Sequence, residues 1–464
     1  MLQFKFICVL LGLGLVASGS VGSFAWVDAS LKPNIMIILV DDWAHSDLQA
    51  VRSDDSPWND LPVIDSLAAR GQSWNHFYAQ PLCNQTRQSL IFGRYIGTYS
   101  GSICAAPTSD TPPASTPSIA SRLKSAGYRT AAFGKWHVVP NPNADEPREQ
   151  VPAAYGFDDW RAFNASNLAG HCGSNGYSDW LRVDDGKGVQ TSEYHTTAVA
   201  NAARAWWEAT EGSKFAYVCF QAPHSPFHMP PRELLPEGYP EATEARDQYE
   251  AMLVAMDHAI GRLLEVVDLE QTFVLLLGDN GTPPSATRPG DQAPVRAKGS
   301  VFEDGVHVPL IVVGPGIAPG QTEALGHVVD LMATVAELGA SGDPEPPLTD
   351  SRSLAPVFFQ PETRVRDHVI CDKGSALARI MRGKRSQRKV AVVYQSKAKG
   401  PLLKGIWSLT SGNKQTSESF YDLQADPGEE TELDGKFEAH VEDMAETLKI
   451  YAAYIARDES STIE

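Results

Sequence analysis

The chain has 464 residues, of which 42% are hydrophobic and 21% are charged, and its formal net charge at pH 7 is −18. This length and composition allow one large buried core with a small second domain beside it, and they exclude a repeat array or a coiled coil. The acidic balance argues against nucleic acid as a partner, but it does not decide whether the protein binds small anions, because local clusters of cations govern such binding.

The first 25 residues have the pattern of a secretory signal peptide. Lys5 supplies the basic start, residues 6–16 are apolar, and small residues follow over 17–23. The apolar run is shorter than the roughly 20 residues that a membrane-spanning helix needs, although an N-terminal membrane anchor is the alternative interpretation. We therefore expect a secreted or periplasmic protein that has no membrane contact after the signal is cleaved.

Five short apolar runs bounded by turn residues predict buried strands, and three segments between them predict helices. The alternation of strands and helices indicates an α/β fold, a three-layer α/β/α sandwich around a large, mostly parallel sheet that spans residues 30–365. The predicted strands are 35–40, 130–133, 215–220, 273–277 and 310–313, and the predicted helices are 118–126, 196–211 and 245–267.

The pattern changes near residue 366, after a loop rich in proline, glycine and aspartate at 339–350. Residues 366–464 predict a smaller α+β subdomain with a small antiparallel sheet and a terminal helix. Its strands are expected at 389–394, 405–409 and 419–423, and its helix at 437–456.

Polar residues follow four of the predicted strands at the point where each strand ends. Ligands bind at this edge in open α/β sheets, and four such placements are more than turns alone explain. The residues are Asp41 and Asp42, Lys135 and His137, His224, and Asp279 and Asn280.

Four of these residues, Asp41, Asp42, Asp279 and Asn280, offer only oxygen ligands. Hard oxygen donors favour Ca²⁺, with Mg²⁺ as the alternative, over Zn²⁺. Either pair alone is typical of a turn or a helix cap, whereas together they predict a site for one divalent cation.

The cysteines single out one thiol. Cys8 leaves with the signal peptide, so an odd number of cysteines remains and at least one of them lies outside any disulfide framework. The alternative is that all of them are buried, unpaired thiols. Cys83 begins a predicted helix at 83–92, where the helix N-terminus and Arg87 one turn later favour negative charge. The remaining cysteines are Cys83, Cys104, Cys172, Cys219 and Cys371.

Four further side chains complete a predicted cationic ring around Cys83 that is able to bind a tetrahedral oxyanion. Each of them alone is more typical of a surface charge or a satisfied histidine, so the hypothesis concerns the ring as a whole. Its members are Lys135, His137, His224 and Lys298.

The motifs in this order resemble the sulfatase family of the alkaline-phosphatase-like superfamily, and the likeness spans about residues 32–433. The order and spacing of the motifs are specific, although any single match is weak. The matching segments are Pro33-Asn34-Ile35 through Asp41-Asp42, Cys83 to Arg87 with Gly93-Arg94, Gly134-Lys135-Trp136-His137, Pro223-His224-Ser225-Pro226-Phe227, Gly278-Asp279-Asn280-Gly281, Lys298-Gly299-Ser300 and Phe420-Tyr421-Asp422-Leu423.

The resemblance implies a mechanism for sulfate ester hydrolysis. Cys83 is oxidised to formylglycine by a formylglycine-generating enzyme, and one hydroxyl of the hydrated aldehyde attacks sulfur to form a covalent enzyme sulfate. His224 protonates the leaving alcohol, and His137 removes the proton from the second hydroxyl so that sulfate is expelled. Arg87 and Lys135 steady the hydrated aldehyde, Lys298 steadies the sulfate, and the metal ligands are Asp41, Asp42, Cys83, Asp279 and Asn280.

The nucleophile segment departs from the family pattern at one position. The family has Cys-x-Pro-x-Arg, or Ala in place of Pro, whereas this chain has Cys83-Asn84-Gln85-Thr86-Arg87. Phe92 also replaces the usual threonine before Gly93-Arg94. We expect Gln85 to limit the conversion of Cys83 rather than the chemistry that follows.

Three functions are consistent with the sequence. The first is a sulfatase acting on a sulfated carbohydrate or a similar small ester. The second is a phosphodiesterase or phosphonate hydrolase on the same scaffold, because a site for a tetrahedral oxyanion suits either ester. The third is a non-catalytic, glycan-binding relative.

Overall fold

The computed structural model describes residues 32–48, 60–95, 111–140, 148–170, 172–288, 295–339, 350–373, 388–395, 400–409, 415–433 and 438–461. Pro33–Glu464 forms one compact unit. Within these ranges, no helix is both long enough and apolar enough to cross a membrane. The predicted signal peptide, Cys104 and nearly all of the loop at 339–350 lie outside the described residues.

A ten-stranded sheet forms the centre of the molecule, in the order β10-β2-β9-β8-β1-β7-β3-β4-β5-β6. Its strands are β1 (Asn34–Val40), β2 (Gln72–Tyr78), β3 (Arg129–Lys135), β4 (Asp159–Asn164), β5 (Trp180–Asp184), β6 (Lys187–Thr191), β7 (Lys214–Phe220), β8 (Thr272–Gly278), β9 (Leu310–Val313) and β10 (Gly320–His327).

Four adjacent strands, β8, β1, β7 and β3, run parallel at the centre of this sheet. The last residue of β1, Val40, pairs with Phe220 of β7 and with Gly278 of β8, so these strands end at one level. Strand β9 is antiparallel to both β2 and β8, and β5 and β6 extend the sheet as antiparallel strands. The sheet is therefore mixed but mostly parallel at its core.

Helices cover the sheet on both faces, which confirms the predicted three-layer α/β/α sandwich. Alternate residues of β1 point to opposite faces, and Met36, Ile38 and Val40 join one hydrophobic cluster with α1, α5 and α6. Ile35, Ile37 and Leu39 are fully buried on the other face. The helices are α1 (Pro62–Arg70), α2 (Cys83–Phe92), α3 (Ile119–Ser125), α4 (Val151–Ala154), α5 (His195–Ala209), α6 (Ala245–Leu264), α7 (Glu303–Val306), α8 (Leu331–Leu338) and α9 (Ala355–Phe359).

A four-stranded antiparallel sheet follows, in the order β11 (His368–Asp372), β12 (Arg388–Gln395), β13 (Leu402–Leu409) and β14 (Gln415–Asp422), and the chain continues into α10 (Glu438–Ser461). This arrangement confirms the predicted smaller α+β part, in which β11 was not predicted. A buried ion network joins β13 to α7. Lys404 is fully buried, and its ammonium group lies 2.8 Å from Glu303 and 3.0 Å from Glu429.

Candidate active site

The predicted polar residues meet at one edge of the sheet because their strands are parallel neighbours. Asp41 and Asp42 follow β1, His224 lies four residues after the end of β7, and Asp279 follows β8. Lys135 is the last residue of β3. All five side chains are buried, although apolar residues usually occupy such positions.

The backbone at this edge adopts conformations that L-residues seldom take. Asp42 and His137 have φ of 69° and 45°, in the left-handed region, and such strain concentrates at functional sites. Gly134 has φ of 75°, and a Cβ atom there would lie 2.0 Å from the carbonyl oxygen of Cys219 on β7. Only glycine lets β3 approach β7 this closely, one residue before Lys135.

Three carboxylates form the centre of the site. Ligand atoms of Asp41, Asp42 and Asp279 all lie within 4.8 Å of one another. The Oδ1 atoms of Asp41 and Asn280 are buried and have no hydrogen-bond partner. Clustered carboxylates with unsatisfied oxygens require positive charge, so this donor set fits a hard divalent cation held by Asp41, Asp42, Asp279 and Asn280.

Three cations surround the carboxylates. Lys135 donates to Asp41 and Lys298 donates to Asp42. The Arg87 guanidinium donates to Asp279 Oδ2 from two nitrogens, at 3.0 and 2.8 Å.

These charges act against burial in setting the carboxyl pKa values. Burial disfavours the charged form of Asp41, but Lys135 and the other nearby cations outweigh it and hold the pKa well below its usual range. Burial and the Asp41 carboxylate raise the pKa of Asp279 to about 7. The carboxylates of Asp41 and Asp279 repel each other when both are charged, and a cation bound between them would neutralise both.

Cys83 is the first residue of α2, as predicted, and it is a free thiol with 5% of its surface exposed. Its Sγ lies 3.7 Å from the Lys135 ammonium and 3.8 Å from that of Lys298. Burial raises the pKa of the Cys83 thiol, and the two lysines oppose this shift. Both lysines thus contact the sulfur, whereas Arg87 directs its guanidinium at Asp279 and at the Lys135 carbonyl oxygen.

Two histidines complete the predicted set. His224 Nδ1 lies 2.7 Å from the carbonyl oxygen of Ser225, and its Nε2 lies 3.9 Å from Asp42 Oδ2. Burial lowers the pKa of His224 to about 4, with Asp42 opposing the shift. His137 is half-buried, its Nδ1 has no hydrogen-bond partner, and burial together with Lys135 lowers its pKa well below the usual value.

A hydrogen-bond network next to the candidate metal ligands was not predicted from the sequence. The Tyr249 hydroxyl on α6 lies 2.8 Å from the backbone oxygen of Asp42, 3.0 Å from Asp47 Oδ2 and 3.3 Å from Thr282 Oγ1. Arg246 donates to Asp47 Oδ1 at 2.6 Å. Tyr249 lies within a helical pattern that only marks it as buried, so the sequence carries no signal for this role.

The sequence model of the sulfatase family matches residues 33–341. The chain is 28% identical over 398 residues to N-acetylgalactosamine-6-sulfatase of Mus musculus, a match that covers 77% of this chain and 70% of the relative. It is also 28% identical over 444 residues to a sulfatase of Formosa agariphila, covering 77% and 78% of the two chains.

Solved structures share the fold. Ps i-CgsB in complex with k-i-k-neocarrahexaose aligns with a TM-score of 0.71 at 21% identity, covering 91% of this chain and 93% of that one. BT4656 in complex with its substrate D-glucosamine-2-N,6-O-disulfate aligns with a TM-score of 0.68 at 19% identity, covering 93% and 98%. From the extent of the family match, the chain belongs to the sulfatase family and is a sulfuric ester hydrolase.

Proposed function

We propose that this sulfatase hydrolyses sulfate esters of a carbohydrate, with position 83 as the nucleophile after conversion to formylglycine and with Ca²⁺ as the cofactor. The observation that carries the proposal is the position of Cys83, whose sulfur lies between the Lys135 and Lys298 ammonium groups and beside the buried carboxylate of Asp41. The negative charge of a sulfate ester suits such fixed cations, while the carboxylates provide for a metal ion.

The metal ligands in this proposal are Asp41, Asp42, Asp279, Asn280 and the modified residue 83. The unpartnered Oδ1 atoms of Asp41 and Asn280 support Ca²⁺ over softer metals, because calcium prefers carboxylate and amide oxygens. When bound, the ion would supply positive charge that polarises a sulfate oxygen.

The protein's own cations would bind and orient the sulfate group. Lys298 and Lys135 both reach position 83. Following the resemblance to the family, we assign Lys298 to the sulfate oxygens and Lys135 to the hydrated nucleophile. Arg87 holds Asp279 through two hydrogen bonds and would fix that carboxylate, at the same time adding positive charge near the nucleophile.

The histidines would move the protons. When Nδ1 of His224 donates to the Ser225 carbonyl, Nε2 carries a proton only in the imidazolium form, and the negative charge of a bound sulfate favours that form. We assign His224 to protonation of the leaving alcohol. His137, kept neutral by burial and by Lys135, is suited to remove a proton from the nucleophile when sulfate leaves.

The names of relatives support a carbohydrate as the alcohol part of the ester. The Mus musculus relative is an N-acetylgalactosamine-6-sulfatase, and the structures of Ps i-CgsB and BT4656 hold an oligosaccharide and a sulfated amino sugar. An exported protein, as predicted from residues 1–25, would also meet polysaccharides.

The test compares sulfate and phosphate esters on one preparation of the protein. Mass spectrometry of the peptide that contains residue 83 first measures the formylglycine fraction. We expect turnover of sulfated saccharides in proportion to that fraction, and slower turnover of matched phosphodiesters. Preferred hydrolysis of phosphodiesters would favour the second function, and binding of sulfated glycans without turnover by fully converted protein would favour the third.

A further inference from the structure

The site contains a second group of metal-ligating atoms besides the three carboxylates. One ligand atom each from Asp41, Cys83 and His224 lies within 4.8 Å of the other two. All three residues are buried. An oxygen, a sulfur and a nitrogen therefore lie close enough together to share one ion, and sulfur and nitrogen are the donors that transition metals prefer.

Two independent contacts orient this group toward a ligand. The Oδ2 atom of Asp41 accepts from Lys135, while its Oδ1 is buried with no hydrogen-bond partner. His224 Nδ1 lies 2.7 Å from the carbonyl oxygen of Ser225, which fixes the neutral tautomer that has a free lone pair on Nε2. A backbone carbonyl on the far ring nitrogen is the usual partner of a metal-bound histidine.

Cys83 would bind a metal ion as a thiolate, whose negative charge needs positive groups nearby. Lys135 and Lys298 lie 3.7 and 3.8 Å from its sulfur and would compensate the negative charge. Their ammonium groups are already bonded to Asp41 and Asp42, so the carboxylates offset the repulsion that they exert on a metal ion. The sulfur would lose its proton when the ion binds, as thiolate ligands of metals do.

We propose that the chain with an unconverted Cys83 binds one Zn²⁺ ion through Asp41, Cys83 and His224. Three protein ligands leave the fourth tetrahedral position open for water. Binding releases the Cys83 thiol proton to solvent and forms a zinc–sulfur bond, with no change of oxidation state. The inference does not rest on the sulfatase reaction, because it concerns the cysteine form of the chain.

Two properties follow from the shared residues. Conversion of Cys83 removes the sulfur, so the formylglycine form would lose this site. Asp41 would also serve Ca²⁺, so the two ions would exclude each other. Because Gln85 departs from the family pattern, we expect a fraction of the protein molecules to keep an unconverted Cys83, and these molecules could bind zinc.

The experiment uses the full chain from a host that lacks the formylglycine-generating enzyme, with intact Cys83 verified by mass spectrometry. After metal removal, Zn²⁺ is titrated by calorimetry and Co²⁺ by absorption spectroscopy. We expect binding of one ion and a thiolate-to-cobalt charge-transfer band. Cys83→Ser should abolish the band, and His224→Ala should lower zinc affinity at least about tenfold, since outer partners of metal ligands alone contribute that much.

Two variants serve as matched controls. The absorption spectrum of the wild-type protein with Co²⁺ is a separate test, because it does not require any variant to fold. Cys219→Ser removes another buried thiol and His228→Ala removes another histidine of the same loop, and both should keep the band and the zinc affinity. Binding without a charge-transfer band would place the ion on carboxylates alone and overturn the proposal. Equal zinc affinity in wild type, Cys83→Ser and His224→Ala would also overturn it.

Discussion

At the scale of single residues, the site contains several buried charges within one small volume. Lys135, Arg87 and three carboxylates are almost wholly removed from water. A buried charge is costly unless it is paired, and each of these cations has a carboxylate partner. The arrangement is therefore preorganised for an anionic substrate rather than for maximal stability.

This preorganisation predicts the effect of removing single side chains. Lys135→Ala, His137→Ala, His224→Ala and Lys298→Ala should each lower kcat for a sulfate ester by at least about 100-fold, because positioned acids, bases and oxyanion groups contribute on that scale. Steady-state kinetics measures kcat of each variant, and circular dichroism shows whether the variant keeps its fold. Lys124→Ala, whose ammonium is half-exposed on α3, is the control and should be neutral. Near-normal rates in two or more of the four variants would show that the site has been misassigned.

Gln85 predicts an outcome for maturation. It is the third residue of α2, so its N–H has no acceptor within the helix, and proline is tolerated in a first turn. Its buried Oε1 has no hydrogen-bond partner, so little is lost on replacement. Gln85→Pro should therefore fold normally and raise the formylglycine fraction in a common expression host, with sulfatase activity rising in proportion.

Peptide mass spectrometry and activity assays on the same samples test this expectation. Cys83→Ala should remove activity altogether. Gln85→Ala should also raise the formylglycine fraction, because the family pattern accepts alanine there, whereas Gln85→Ser lies outside that pattern and separates loss of glutamine from gain of a recognised residue. An unchanged formylglycine fraction in Gln85→Pro would mean that residue 85 does not limit conversion. Robust turnover of a sulfate ester by Cys83→Ala would contradict the assignment of the nucleophile.

At the scale of elements, the sequence predicted the parts whose pattern is local. The central strands β1, β7 and β8 are largely apolar runs. Their predicted bounds differ from the structure by one residue, at the first residue of β1 and β7 and at both ends of β8. Helix α2 has the predicted bounds because Gly93 ends it in the left-handed conformation. The division of the chain at residue 366 stays a prediction.

The elements that were not predicted depend on distant partners. Strand β2 carries polar and half-buried residues, and its place in the sheet comes from pairing with β9 and β10 about 240 residues later. Strand β6 is almost wholly exposed and pairs with β5 across a short turn. In the candidate site, the polar residues at the strand ends were predictable from the sequence. The contact of the Tyr249 hydroxyl with Asp42 was not, because the sequence pattern of α6 indicates only an amphipathic helix.

Tyr249 on α6 predicts a coupling between the helix and the metal site. Tyr249→Phe removes one hydroxyl that contacts the Asp42 carbonyl, Asp47 and Thr282, and it should weaken Ca²⁺ binding several-fold. The free energy of unfolding should fall by about 1 kcal/mol, the usual contribution of a buried hydrogen bond. Calorimetric titration of Ca²⁺ and urea unfolding of the metal-free protein measure the two effects.

A matched control lies at the other end of β1. The Tyr128 hydroxyl donates to the Pro33 carbonyl oxygen at 2.6 Å, just before that strand begins. Tyr128→Phe should cost similar stability but leave Ca²⁺ affinity unchanged. Equal Ca²⁺ affinity in the two variants would show that Tyr249 contributes to folding and not to the geometry of the metal loops.

The junction between β13 and α7 predicts a large loss of stability. Lys404→Met would leave the half-buried Glu303 and the buried Glu429 without their ammonium partner, which should lower the free energy of unfolding by about 3–5 kcal/mol. Adding Glu429→Gln should recover part of the loss, because one unpaired charge is removed. Urea unfolding measures both, and Lys449→Met, at an exposed pair on α10, should change stability by less than about 1 kcal/mol. If Lys404→Met lowered the free energy of unfolding as little as Lys449→Met does, the ion network of Lys404, Glu303 and Glu429 would have to be accessible to water.

At the scale of the whole molecule, the proposed metal site joins segments that are far apart in the chain. Its ligands follow β1 and β8, and Asp42 and Asn280 are hydrogen-bonded at 2.8 Å across 238 positions of sequence. An ion that binds only the folded chain stabilises it, by about 2.7 kcal/mol at a concentration 100 times the Kd. Metal removal should therefore affect the fold as well as the reaction.

Chelation is expected to abolish sulfatase activity and to lower Tm, and added Ca²⁺ should restore both. Activity assays and thermal unfolding on one metal-free sample, with Mg²⁺ added in a parallel sample, give the comparison. Asp41→Asn should reduce the Ca²⁺-dependent rise in Tm, because it removes one carboxylate from the site. Full activity after exhaustive metal removal would contradict a calcium cofactor.

The burial of α2 limits when the proposed conversion of Cys83 could take place. Cys83, Gln85 and Arg87 are all buried in the folded chain, and Arg87 is bonded to Asp279 nearly 200 residues later. A modifying enzyme that binds this segment would need access to it while the polypeptide is still unfolded, before β8 has been synthesised and Asp279 has paired with Arg87. Under the proposed conversion of Cys83, folding and modification would compete, and slower synthesis or slower folding would increase the yield of converted protein without any change to its sequence.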